Sequence, residues 1–391
     1  MTKRSFPGTL SVLLILSIFL PACDFSESRI FIEAESFDTY GGWMHDGQFI
    51  DQMGSPYLIA HGLGTPVEDA RSRFYVEDPG QYHVYARTFN WMAPHMEDES
   101  AGLFRIGIDE QLLDTVFGKG PDHWGWSHGG SIELDSGMHD IFLRDMTGFD
   151  GRIDAIFLSK VEYERVSEQP YKLFRLRTQT GGIPSELIDK GNYDLVVIGG
   201  GLAGVSTAAT AARQGLKTAL ITDSSLPAGN PELQSITGNN YGTQLDIFTQ
   251  VHMNWLEKED QHIRHVYGIH TRTGQQYVFH GSYFADCTGD GTVGRLAGAA
   301  FRYGRESFEE SGEARAPEQA DSIGMKVYTT WSYRETNEFI KYPELSWMSI
   351  DSSSFMHPQS GAWCCTGTED RNNIEEAEYL RDANLLSIYS Y

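Results

Sequence analysis

Three consecutive glycines, Gly199, Gly200 and Gly201, and a fourth at Gly204 stand where an apolar run, Leu195 to Ile198, gives way to small residues. Glycines at this spacing between a strand and a helix work by leaving side chains out. Gly199 permits the tight turn, Gly201 lets the backbone approach a pyrophosphate, and Gly204 lets helix and strand pack in contact. The helix N-terminus then holds the negative charge. With 41 glycines in 391 residues the spacing alone is weak evidence, and the surroundings strengthen it. A small-residue helix, Val205 to Arg213, closes at Gly215, and a second apolar strand, Thr218 to Ile221, leads to Asp223, nineteen positions after Gly204. An acidic side chain there accepts hydrogen bonds from a ribose 2′-hydroxyl. The stretch therefore predicts a dinucleotide-binding βαβ unit.

Further along, a strand from Tyr283 to Cys287 runs into Thr288, Gly289, Asp290 and Gly291. This resembles the strand end of flavoproteins with two dinucleotide folds. The whole segment from Tyr193 onward resembles a bacterial family of FAD-dependent oxidoreductases often labelled xanthan lyase. The resemblance implies an α/β FAD-binding Rossmann-type domain over residues 193–391, with FAD held by Gly199, Gly200, Gly201, Gly204, Asp223, Gly229, Thr288, Gly289 and Asp290. Where the family has a Gly-Gly-Asn turn, this chain reads Ala228, Gly229 and Asn230. Asp290 reads equally as the N-cap of a helix from Gly291 to Ala299. An NAD-linked dehydrogenase would use the same glycines, but the Thr288 to Gly291 element suits FAD. Asp246 to Glu257 reads as a helix, and Arg264 to Phe279 as a hairpin around Thr273 and Gly274. His252, His262, His265, His270, His280 and His357 lie in this half, and none is assigned as a catalytic base. The acid, base and cation set that β-elimination needs is absent, so the lyase label finds no support in the residues.

Residues 28–160 follow another rhythm, short alternating strands with turns every eight to twelve residues. Ile30 to Glu35, Gly80 to Arg87, Leu103 to Asp109, Ser131 to Leu134, His139 to Asp145 and Arg152 to Ser159 predict an antiparallel, jelly-roll-like β-sandwich. Its first and last strands, IFIEAESF and GRIDAIFLS, and the strand GQYHVYAR between them resemble carbohydrate-binding modules of families 6 and 35. That likeness implies a structural calcium on Glu33, Glu35 and Asp154. Hard oxygen ligands suit the ion, although alternate residues of a strand also place two acids side by side in solvent. Trp124 and Trp126, in the loop DHWGWSHGG, and Trp43 are candidate sugar platforms, with core packing or contact with the flavin half as the rival reading. Residues 161–192, with Pro170, Gly181, Gly182 and Pro184, read as a linker.

The first 23 residues form a targeting segment. Lys3 and Arg4 precede an apolar core of twelve residues, Thr9 to Leu20, too short to span a bilayer well, and the Leu20-Pro21-Ala22-Cys23 end resembles a lipoprotein box with lipidation at Cys23. Export to a bacterial cell envelope is expected on either the lipoprotein or the plain secretory reading. The net charge of −24, or −26 once Lys3 and Arg4 leave with the leader, disfavours nucleic acid and anionic lipid as partners. Cys287, Cys364 and Cys365 are the other cysteines, too few for a disulfide framework or a zinc or iron–sulfur site. The flavin segment is also similar to the flavin-carrying polypeptide of heterodisulfide reductase, whose cluster cysteines this chain lacks. The chain is shorter between Asn230 and His262 than the family pattern, and it stops within an amphipathic helix built on Ala377, Leu380, Ala383 and Leu385 or Leu386. Both features predict an incomplete FAD domain. The expected activity is oxidation of a saccharide or saccharide-derived alcohol by hydride transfer to flavin. The alternative is a glycan- or partner-binding lipoprotein with a non-catalytic flavin domain.

Overall fold

The structure, a computed structural model, describes residues 29–94, 100–120, 122–226, 244–302, 304–323 and 376–390, together with the short pieces 328–332, 337 and 360–364. Cys23, Gly229, His357 and Cys365, and the side chain of Cys364, lie outside the described residues.

The N-terminal half folds as two facing antiparallel sheets. The first contains β1 (Arg29–Glu33), β2 (Met44–Asp46), β3 (Tyr57–His61), β5 (Gly80–Thr88), β8 (Gly125–Leu134) and β10 (Phe149–Ser159). Its order is β2-β3-β10-β5-β8, with β1 also paired to β10. The second runs β4-β9-β6-β7, from β4 (Ala70–Val76), β6 (Phe104–Ile108), β7 (Gln111–Leu112) and β9 (Gly137–Asp145). Ile32, Leu58, Val84, Ile156 and Leu158 from one sheet meet Phe74, Phe104, Ile106 and Leu143 from the other in a shared apolar core. β10 has partners along both edges and every one of its residues is buried, which is why its apolar residues run on from Ala155 to Leu158, with Asp150, Arg152 and Asp154 before them. The first strand ends earlier than its pattern predicts, and Glu35 sits in a 3₁₀ turn, Ala34–Ser36.

Residues 161–192 are not a bare linker. Pro170–Gln179 forms a helix, α2, that follows the one-turn α1 (Ile50–Met53), and Leu173 buries it against Phe31, Tyr85 and Phe157 of the sandwich. Pro170 suits the first helical position, where the missing N–H has no partner to lose. The following strand, β11 (Leu187–Ile198), begins six residues before Tyr193.

β11 is the centre of a six-stranded sheet of order β13-β12-β11-β16-β15-β14, formed with β12 (Thr218–Ile221), β13 (Leu245–Phe248), β14 (Val251–Glu259), β15 (His262–His270) and β16 (Gln276–Asp286). The four strands β13, β12, β11 and β16 are parallel, and β16, β15 and β14 form an antiparallel meander. Alternate residues of β11 face opposite sides. Val197 packs under α3 (Leu202–Arg213) with Val205 and Ala208, while Val196 and Ile198 meet Val251, Val266 and Phe279 on the other face. The expected helix at Asp246 to Glu257 is instead the end of β13 and most of β14. A bulge between Met253 and Trp255 shifts the alternation, so that Val251, Met253 and Leu256 are buried at steps of two and then three residues.

The C-terminal helix, α5 (Ala377–Ser390), packs against the sandwich. Asp382 pairs with Arg152 through two bonds of 2.9 and 2.6 Å, both groups buried. The Arg152 guanidinium also lies 5.4–5.9 Å from the rings of Phe49, Tyr57, Phe89 and Trp91. Leu386 enters the same aromatic cluster. Among the described residues, no helix is long and apolar enough to cross a membrane.

Removing Asp382 would leave the fully buried Arg152 guanidinium without its hydrogen-bonded counter-charge. Asp382→Ala is therefore expected to cost about 3–5 kcal/mol, read from the urea midpoint of the full chain, and Arg152→Met with Asp382→Leu should recover most of it. A single-variant cost below about 1 kcal/mol, typical of an exposed pair, would show that the pair does not hold the helix.

Candidate functional site: a glycine-lined cradle

The bend after Ile198 is defined by what cannot fit in it. Gly199 has φ +105°, and a Cβ on it would stand 2.1 Å from the carbonyl oxygen of Cys287 and 2.8 Å from the amide nitrogen of Thr288. A Cβ on Gly200 would stand 2.2 Å from Thr222 Oγ1, and one on Gly204 only 1.8 Å from the carbonyl oxygen of Gly199. Three of the four glycines are therefore excluded from carrying side chains by the protein's own packing. Gly201 differs: it is exposed, it caps α3, and a Cβ there would meet nothing within 4 Å. The space in front of it is open. Helix geometry leaves the amides of Leu202, Ala203 and Gly204 without intrahelical partners, and Val205 makes the first helical bond, to Gly201. The result is a positive backbone cradle of the kind that binds phosphate.

The parallel register brings the second element alongside. Ile198 lies opposite Asp286, the Cys287 amide donates to the Ile198 carbonyl at 2.7 Å, and the Gly199 amide donates to Ile221 at 2.9 Å. Thr288, Gly289 and Asp290 therefore begin beside the glycine bend. Gly289 and Gly291 hold left-handed φ values of +89° and +69°, which favour glycine. Asp223 is exposed, two residues beyond the end of β12. Asp290 is exposed, and the helix that follows, α4 (Thr292–Leu296), is capped by Gly291 with no side-chain bond, so Asp290 is not its N-cap.

Asp286 escaped the sequence reading. Its carboxylate accepts from the Thr288 amide and hydroxyl at 3.1 and 2.7 Å and from the Gly294 amide at 2.9 Å, while Thr288 Oγ1 accepts from the Thr292 amide at 2.9 Å. Partial burial pushes the Asp286 carboxyl up, but the bonds from Gly294 and Thr288 outweigh it and hold the group below its ordinary range. One side chain thus fixes the turn against α4. An aspartate two residues before a threonine is a recognisable turn signature, and it was the available signal.

Three of the described histidines of this half have side-chain partners. His252 lies 2.9 Å from Asp51 of the sandwich, and His265 and His280 approach ring to ring at 2.6 Å.

In the sandwich, Glu33, Glu35 and Asp154 do come together, with one oxygen of each within 4.8 Å of the others. Their surroundings are not those of a calcium site. Both Asp154 oxygens are taken, Oδ1 by Ser55 at 2.7 Å and Arg177 at 2.9 Å, Oδ2 by Arg87 at 2.9 Å and Arg177 at 2.8 Å. Calcium needs six to eight oxygens and would face two guanidiniums here, so the residues as arranged do not fit it. Burial pushes the Glu33 carboxyl up to about 8 against the pull of Arg177. Burial and the neighbouring Glu33 push Glu35 up as well.

The proposed sugar platforms are mostly core. Trp43 is 3% exposed and lies edge-on to Phe104. Trp124 is 6% exposed and stacks on Phe89, with Tyr57 5.0 Å away. Trp126 is half-buried between Phe31 and Phe157. An aromatic-rich loop next to a strand is indistinguishable in sequence from a binding loop, and here apolar burial took the rings. Trp124 also lines a cavity of about 350 Å³ shared with Phe49, Glu378, Tyr379 and Asp382, between the sandwich and α5.

The glycines make separable predictions. Gly204→Ala should unfold the βαβ unit, because its methyl would occupy the position of the Gly199 carbonyl oxygen. Gly201→Val should lower the unfolding midpoint of the full chain only slightly, by the loss of a glycine N-cap, while weakening FAD retention at least tenfold, about 1.4 kcal/mol. Equal flavin content in Gly201→Val and the wild type would show that the cradle holds no diphosphate.

A family model described as "FAD binding domain" matches residues 194–233, and one described as "FAD dependent oxidoreductase" matches residues 235–380. No protein of curated function matches the chain. Among solved structures, the Podospora anserina GH26-CBM35 β-(1,4)-mannanase is similar at 12% identity over 56% of this chain and 54% of its own, with a TM-score of 0.28. The chain thus spans about half the length of that enzyme. A family 35 carbohydrate-binding module from Clostridium thermocellum is similar at 17% identity over 34% of this chain and 97% of its own, with a TM-score of 0.27. L-proline dehydrogenase from P. horikoshii is similar at 13% identity over 47% of this chain and 30% of its own, with a TM-score of 0.24. By the two family models, the C-terminal half of the chain carries the domains of an FAD-dependent oxidoreductase.

Proposed function

We propose that this chain is an exported FAD-dependent oxidoreductase that acts on a saccharide or saccharide-derived alcohol. In this reading residues 193–391 form a Rossmann-type cofactor domain beside the sandwich of residues 28–160. The observation that carries it is the contact of the Gly199 bend with the Thr288 turn, in front of which Gly201 leaves room for a diphosphate. FAD, when bound, supplies acceptance of a hydride from a substrate carbon. The chain's own residues bind and orient: Gly201 and the α3 amides hold the diphosphate, Asp223 accepts from ribose hydroxyls, and Asp286 keeps Thr288 and Gly289 in place. The substrate class is supported by the likeness of the first and last sandwich strands to carbohydrate-binding modules. The apolar leader ending at Cys23 supports export and a lipid anchor in the bacterial cell envelope.

The purified full chain is expected to be yellow, or to become so with added FAD, and to bleach without oxygen when an oxidisable sugar or sugar alcohol is supplied. A preparation that stays colourless with FAD overturns this reading in favour of a binding lipoprotein. Reaction with NADH in the absence of retained flavin overturns it in favour of an NAD-linked dehydrogenase.

A further inference from the structure

Five ionisable side chains meet inside the sandwich, and none is more than 5% exposed: Glu33, Glu35, Arg87, Asp154 and Arg177. Four of them belong to the sandwich. The fifth, Arg177, arrives on α2, and its guanidinium meets Asp154 and Glu33, while Glu33 Oε2 and Glu35 Oε2 are buried without a hydrogen-bond partner. Nη2 bonds both Asp154 oxygens, Nε stands 3.0 Å from Glu33 Oε1, and Nη1 donates to the Met53 carbonyl at 3.1 Å. Its position is over-determined, since the group also lies 5.7 Å from the Phe31 ring and Leu173, one turn earlier, is buried. Carboxyls buried together call for a cation wherever they are ionised. A divalent ion could supply the charge, but the place such an ion would take beside Asp154 is filled.

We propose that Arg177 is the resident cation of this acidic cluster, a guanidinium from outside the sandwich standing where a divalent metal ion would otherwise be required. The sandwich then depends on its own connector for charge balance and not on calcium. This has a consequence for the whole chain. The Arg177 carbonyl accepts from the amides of Gly182 and Ile183 at 2.8 and 3.3 Å, and Ile183 packs against Gly274 in the turn between β15 and β16. The residue that neutralises the cluster therefore also sets where the chain leaves the sandwich and meets the cofactor half.

Metal analysis and thermal unfolding of the full chain test this. The wild type is expected to purify without stoichiometric calcium and to unfold at the same midpoint in chelator and in millimolar calcium. Arg177→Met should unfold several degrees lower in chelator and regain stability with calcium, because the freed carboxylates form a hard-oxygen site. Arg177→Lys, which keeps the charge, should lose less and ignore calcium. One calcium per wild-type chain, or a fall in its midpoint with chelator, overturns the proposal even if no variant folds. So does an Arg177→Met variant as stable as the wild type in chelator. Equal destabilisation of both variants without a calcium response overturns it too, since packing and not charge would then be what Arg177 supplies.

Discussion

The constraint on which the rest of the structure depends is the contact of bare backbone at Gly199, where the carbonyl oxygen of one glycine, the Cα of another and the peptide leaving β16 occupy one small space. With a Cβ at 204 or 199 standing about 2 Å from a neighbouring backbone oxygen, no rotamer change could relieve the clash. Everything useful about the site follows from that closeness. α3 lies directly over β11, its N-terminal amides face the same opening as Gly201, and the Thr288 turn forms the opposite wall. The parallel pairing of β11 with β16 is what brings the two walls together, and Asp286 then uses its own carboxylate to stop the second wall from moving.

A second theme is the use of buried guanidiniums as long-range ties. The chain is strongly acidic at −24, yet Arg152 and Arg177 are placed at most 2% exposed and each contacts a different segment from the one that carries it. Burying such charges is costly and stabilises only when the partner geometry is good. Arg152 meets that condition with a two-bond contact to Asp382, 230 residues away, and Arg177 with both oxygens of Asp154. A planar group with several fixed donors serves this purpose better than a lysine, because one side chain satisfies several acceptors at once. Other contacts between the sandwich and the C-terminal half include His45 to the Thr271 carbonyl, His252 to Asp51, Arg381 to Asp46, Arg272 over the Tyr40 ring and Leu386 in the aromatic cluster.

What could be read from the sequence divides along the same line between local and long-range physics. The βαβ unit was legible nearly to the residue, since Thr218–Ile221 and the Gly215 stop depend on strand propensity and on glycine's tolerance of φ +90° within a few positions. The glycine spacing was legible for a similar reason: the packing that excludes side chains at Gly199, Gly200 and Gly204 leaves a pattern in the sequence. The convergence of Glu33, Glu35 and Asp154 was legible through resemblance, but not what neutralises them, because Arg177 lies in a stretch whose glycines and prolines read as a connector. The Asp246 to Glu257 stretch misled because a bulge between Met253 and Trp255 breaks the period-two burial by which a strand is recognised. The tryptophans misled because an indole near a loop has the same composition whether it faces solvent or core. Residues that act by being near something distant in the chain carry no local signature. The pairs that fix how the two halves meet, Arg152 with Asp382 and Arg177 with Asp154, belong to that class, and only the folded register of β10 against α2 and α5 makes them partners.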